Sequence, residues 1–187
     1  MQISRRKFLH HSALAATALT AGACTITTSG QVTTLTLNVA TIEKYAKAGI
    51  SAVTTVIGIA AVSSALGPVV VSGIEAAGAT LNAALAAFIS AAGDTVTISY
   101  DDTSWKTQVD SLLDDLDTVV SKLSTALTLL KTRAGSSVVS TASMAVNAVQ
   151  TVLNAFEALL GTVMLKRGIA GPTQTEIDNA LKVLGVA

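Results

Sequence analysis

The chain carries little with which to do chemistry. Among 187 residues there are two histidines and one cysteine; charged residues make up 13% and aromatic ones 3%. Both histidines, His10 and His11, lie near the N-terminus, and the chain downstream of them has none. That stretch therefore lacks the commonest general acid/base and the commonest metal ligand. It excludes Ser-His-Asp and Cys-His catalysis and a zinc site built from Cys and His. A single cysteine excludes an internal disulfide, so packing alone must hold the fold. Twelve basic residues balance twelve acidic ones with no basic stripe, which excludes a nucleic-acid partner. Asp101, Asp102, Asp110, Asp114, Asp115 and Asp117 crowd one region, but no EF-hand spacing or glycine accompanies them, and they read as a solvated helix face. No metal and no cofactor is expected, and no catalytic residue can be named.

What is present is most specific at the start. Ser4-Arg5-Arg6-Lys7-Phe8-Leu9 precedes an uncharged run from Ser12 to Ala23 that ends on Ala21-Gly22-Ala23. A basic start, a short apolar run and a small-residue end make an export signal, and the run is too short to span a bilayer. The residues Arg5, Arg6, Phe8 and Leu9 resemble the twin-arginine (Tat) signal of bacterial exported proteins, with His10 where that pattern usually has Lys. The resemblance is confined to the first thirty residues or so. It implies delivery of an already folded chain by the Tat translocase to the periplasm or beyond. Removal of residues 1–23 would take Arg5, Arg6 and Lys7 with it and leave nine bases against twelve acids.

Cys24 follows at once. Gly22, Ala23 and Cys24 fit the end of a bacterial lipobox, whose cysteine receives the lipid; Ala21 stands where Leu is preferred. Two readings stay open: Cys24 carries a lipid that anchors the protein to a membrane, or it is merely the first mature residue. Residues 24–31, rich in Ser and Thr, read as a tether between anchor and domain. Residues 32–187 then form one domain.

Within that domain the periodicity is helical. Asn38 is a candidate N-cap for a helix from Val39 to Leu66, apolar on more than one side. Gly67-Pro68 ends it, and Pro68 opens a second helix that stops at Gly93. The third helix carries Trp105, Val109, Leu112, Leu116, Val119, Leu123, Ala126 and Leu130, spaced alternately by four and three, a heptad seam. The fourth repeats the pattern from Val139 through Ala142, Val146, Val149, Leu153, Phe156 and Leu160 to Val163. Thr173 to Glu176 forms a capping box for a short fifth helix. Residues 32–37 and 94–100 alternate like strands and can pair as a two-stranded β patch, the other reading being an extended loop. Helices of about 25–32 residues joined by short turns predict an all-α, up-down-up-down four-helix bundle with a short C-terminal helix.

The two halves differ in kind. From Ala48 to Gly93 only Glu75 is charged, while the third helix alternates an apolar seam with Lys and Asp. The simpler reading makes residues 48–92 the core of the bundle, with small side chains for close helix contact. The other makes them an apolar hairpin able to enter a membrane, with Gly67 and Pro68 at its tip, as in helical pore-forming proteins. The expected function is that of a non-enzymatic cell-envelope component acting through helix association, with a second copy or another protein as partner. A membrane-active bundle is the alternative, and an enzyme using carboxylates alone stands third.

Overall fold

The computed structural model describes residues 24–29, 32–161 and 171–186. Six helices dominate: α1 (Val39–Ile57), α2 (Ala60–Leu66), α3 (Pro68–Ala92), α4 (Thr103–Arg133), α5 (Ser136–Gly161) and α6 (Gln174–Val183). A small antiparallel sheet of three strands, β1 (Cys24–Ser29), β2 (Val32–Asn38) and β3 (Thr97–Ser99), sits at one end in the order β1-β2-β3.

The expected pairing of the segment before α1 with the one after α3 is present, as Thr36 with Ser99, Leu37 with Ile98 and Asn38 with Thr97. A third strand joins it from a region read as a tether. Cys24 pairs with Leu37 and Ser29 with Val32, so residues 24–29 lie in a hairpin with β2. The β-branched residues Thr25, Ile26, Thr27 and Thr28 suit a pleated ribbon, and composition alone had hidden it.

The expected first helix is two helices. The chain leaves α1 at Gly58 and Ile59, and α2 departs from the direction of α1 by 82°. Ile59 is extended, and its carbonyl accepts from the amides of Val62 and Ser63 at 2.8 and 3.1 Å. The Ser63 hydroxyl donates back to the Ile57 carbonyl at 2.5 Å, which satisfies an acceptor freed by the break. The bend lays α2 across the end of the bundle, with Val62 and Leu66 buried beneath it.

The other boundaries follow their caps. The Asn38 side chain accepts from the Thr41 amide, Asp102 caps α4 through the Ser104 amide, and the Thr173–Glu176 capping box is complete. The seam positions of α4 from Val109 to Leu130 are buried, as are those of α5 from Ala142 to Leu160. Val163 lies outside the described residues. α1 packs against α3 and α5, α4 against α3 and α5, and α6 against α5. Two glycines permit the close approach of α1 and α3. A Cβ on Gly49 would stand 2.7 Å from the nearer methyl of Leu81 and closer still to Leu116, while one on Gly78 would meet Val53 at 3.2 Å.

Candidate functional site

Among the described residues the buried side chains are apolar apart from the hydroxyl-bearing Tyr45 and Tyr100, and no cluster of His, Cys, Asp or Glu is placed to hold a metal ion. The acidic residues around α4 have local duties. Asp101 accepts the Leu35 amide at 3.1 Å. Asp102 is held below the usual carboxylate range by its hydrogen bonds from Ser104. Asp115 is pushed up by partial burial and by the charge of Asp114.

One polar cluster, unseen in the sequence, stands out. The Tyr100 hydroxyl donates to Asp110 Oδ1 at 2.5 Å, and Lys106 Nζ donates to the Tyr100 oxygen at 3.0 Å and to Asp110 Oδ2 at 2.5 Å. The ammonium also lies 4.8 Å from the Tyr100 ring centroid. Burial first, and then the bond to Asp110, raise the Tyr100 phenol above its usual value; the bond to Asp110 raises the Lys106 ammonium. The Tyr100 amide donates to the Leu35 carbonyl at 2.8 Å. Backbone and side chain together fasten the β3–α4 corner to the sheet. Each of the three groups is held by the other two, an arrangement that fixes a corner rather than one that attacks a substrate. Lys106 and Asp110 at helical spacing were the legible part of it; Tyr100, outside the helix, was not.

The unusual surface is the outward face of α3. Its inward side is core: Ile74, Leu81, Leu85 and Phe88 are buried. Its outward side is nevertheless almost devoid of charge. Ser72, Ala76, Ala79, Ala83, Ala86 and Ser90 are exposed and spaced by four, three, four, three and four, with Glu75 the one charged residue of the helix. The Ser72 hydroxyl donates to the Val69 carbonyl at 3.1 Å and that of Thr80 to the Ala76 carbonyl at 3.0 Å. These hydroxyls are thus satisfied within the helix, and the face behaves as a smooth, weakly polar strip. α3 is long and apolar enough to cross a membrane, yet only 22% of its most apolar stretch is buried. A core helix of similar composition would be mostly covered. The sequence reading that places residues 48–92 in the core thus holds for one side of α3 only.

The strip is also a palindrome. Inverted about position 81, Ser72 falls on Ser90, Ala76 on Ala86 and Ala79 on Ala83. A two-fold axis at that level would set Ser opposite Ser and Ala opposite Ala in an antiparallel copy.

Of the residues singled out in the sequence, Arg5, Arg6, Phe8, Leu9, Ala21, Gly22 and Ala23 lie outside the described residues. Cys24 opens β1 beside Leu37. Gly67 and Pro68 form the α2–α3 junction. Gly67 adopts φ 78° and ψ 164°, a region open essentially to glycine alone. Pro68 is at the start of α3, where its missing N–H costs nothing. Trp105 is a packing residue, set edge-on to Phe88 with ring centroids 5.9 Å apart. No protein-family model matches the chain, and comparison with curated proteins and with solved structures finds no match.

Proposed function

We propose that this is an exported, non-enzymatic cell-envelope protein that works by association through the outward face of α3, with a second copy of itself as partner. The observation that carries the reading is that exposed strip of small, uncharged, self-complementary residues. Small side chains let two helix backbones approach closely, and the absence of charge removes the desolvation cost that Lys or Glu would impose. α3 has 25 residues, about 38 Å at 1.5 Å per residue. The strip from Ser72 to Ser90 is about 27 Å long and, at about 10 Å wide, covers roughly 270 Å² per copy, about a third of what a standard interface buries on each partner. The association is therefore weak in dilute solution and is favoured where copies are concentrated.

Export is proposed through the Tat translocase, on Arg5, Arg6, Phe8 and Leu9. The destination is the periplasm or the cell exterior, with anchoring if Cys24 is lipidated. The four long helices are proposed to run up-down-up-down, with α2 closing one end. Several contacts support that order: Gly49 against Leu81 and Val53 against Gly78, Phe88 against Trp105, Arg133 against the Ala65 carbonyl, and Tyr45 against Phe156. Without residues 1–23 the chain has no histidine and nine bases against twelve acids, a composition that supports neither catalysis nor nucleic-acid binding.

A second reading rests on the membrane-spanning length and composition of α3: the segment 48–92 opens from the bundle and enters lipid, tip first. Sedimentation velocity tests the preferred reading. The protein is expected to show reversible dimerisation that Ala79→Lys abolishes. A monomer at every concentration would overturn it. Liposome leakage that depends on residues 48–92 would favour the second reading.

A further inference from the structure

Beyond the α3 strip, the end of the bundle closed by α2 has a character of its own. The 82° bend sets α2 across that end, with Ala60, Ala61 and Ser64 facing outward. The α2–α3 junction adds exposed Pro68 and Val69, the latter 83% exposed and the most exposed large apolar side chain among the described residues. The last turn of α4 brings Lys131 and Arg133, both exposed, and Arg133 Nη1 lies 3.5 Å from the Ala65 carbonyl at the end of α2.

Cations at a helix C-terminus suit the helix dipole and by themselves signal nothing. The distribution of acids is what singles out this end. No carboxylate occurs between Glu43 and Glu75 or between Asp117 and Glu157. The half of the bundle nearest the junction therefore has three bases, Lys122, Lys131 and Arg133, against Glu75 alone, although acids and bases are equal over the whole chain. The surface is an uncharged cap with a cationic rim, and among the described residues acids outnumber bases over the rest of the bundle. An exposed apolar tip without charge, such as Pro68 and Val69, can enter the headgroup layer of a bilayer. The rim matches the negative potential of anionic lipids, and the acidic remainder is repelled from it.

We infer that the α2–α3 end docks peripherally on an anionic phospholipid surface, with Pro68 and Val69 in the headgroup layer, Lys131 and Arg133 against the lipid phosphates, and the bundle intact. This end is the pole opposite Cys24, which pairs with Leu37 at the foot of α1. Lipid on Cys24 and the docked tip would then belong to two facing bilayers separated by about the 38 Å length of α3.

The test is a site-specific fluorescence titration in the full chain carrying Cys24→Ser, with an environment-sensitive label placed by Val69→Cys, by Asn82→Cys (an exposed α3 position off the strip) or by Asp94→Cys. Vesicles of phosphatidylglycerol are expected to blue-shift the label at position 69 and leave those at 82 and 94 unchanged. Phosphatidylcholine vesicles are expected to have no effect, and about 0.5 M salt to reverse the shift. Lys131→Glu, alone and with Arg133→Glu, should raise the lipid concentration for half-maximal shift, by about tenfold or more for the pair. Circular dichroism checks that each variant is folded. No shift at position 69, or an equal one with phosphatidylcholine, overturns the inference. A shift at 82 also overturns it, in favour of hairpin insertion, and a shift at 94 overturns it in favour of the other pole.

Discussion

α3 and α4 lie side by side in one bundle and solve the same problem on their inner sides. Each buries a row of large apolar residues, Ile74, Leu81, Leu85 and Phe88 on one and Leu112, Leu116, Leu123 and Leu130 on the other. Their outer sides are opposites. α4 faces water with Lys106, Asp110, Asp114, Asp117, Lys122 and Lys131; α3 faces outward with Ala, Ser and Thr and one glutamate. Inner faces of equal quality mean that folding alone does not account for the bareness of α3. A helix that only had to meet water would carry charges for solubility, as α4 does. The difference isolates what the outer face of α3 is for, and it can be broken or sharpened by substitution.

The largest effects lie where the two helices agree. Leu81→Ala and Leu116→Ala, both at fully buried positions, should each destabilise the fold by about 2–5 kcal/mol in denaturant titration. A much smaller cost at Leu81 would mean that α3 is only loosely attached. Next comes the turn that sets the start of α3. Gly67→Ala forces a side chain into a conformation that favours glycine and should cost about 1–3 kcal/mol, although no atom lies within 4 Å of the added Cβ.

The Tyr100 clasp at the start of α4 gives a pH signature. Its phenol is raised above the ordinary value of 10.0 in the folded state. The resulting stability is fully present below about pH 10 and is lost as pH rises through the folded value, because the unfolded phenol ionises first. The raised Lys106 acts in the same direction. Tyr100→Phe should cost about 1–2 kcal/mol at neutral pH through the lost hydrogen bond, and should flatten the fall in melting temperature between about pH 9.5 and 11. The smallest stability effects fall on the outer faces. Ala79→Lys and Asp117→Lys should each shift folding by no more than about 0.5 kcal/mol. The first alone should change the sedimentation coefficient.

Much of this architecture was legible in the sequence, for identifiable reasons. The seams of α4 and α5 are heptads of large residues, and the capping box at Thr173 and the break at Gly67-Pro68 rest on residue types with one dominant use. The bend after α1 was not legible. Apolar residues recur at helical spacing straight across Gly58, and a glycine within a helix is tolerated until other contacts make use of it. β1 was read as a tether because its Ser/Thr content outweighed its β-branched alternation. The exposure of α3 was hidden in alanine itself, which suits a core and a surface equally well. Only the four-three spacing of Ser72, Ala76, Ala79, Ala83, Ala86 and Ser90 marked a face, and its orientation required the fold.

The proposed contact has a geometric consequence that disulfide trapping reads directly. In a Cys24→Ser background, chains bearing Ala79→Cys and chains bearing Ala83→Cys are mixed and mildly oxidised. An antiparallel pairing about position 81 sets residue 79 of one copy opposite residue 83 of the other. The mixed 79–83 disulfide is therefore expected to form well ahead of 79–79 or 83–83. No cross-link at a protein concentration where both chains remain folded would contradict the self-association of α3, and cross-links favouring 79–79 would contradict its antiparallel pairing about position 81.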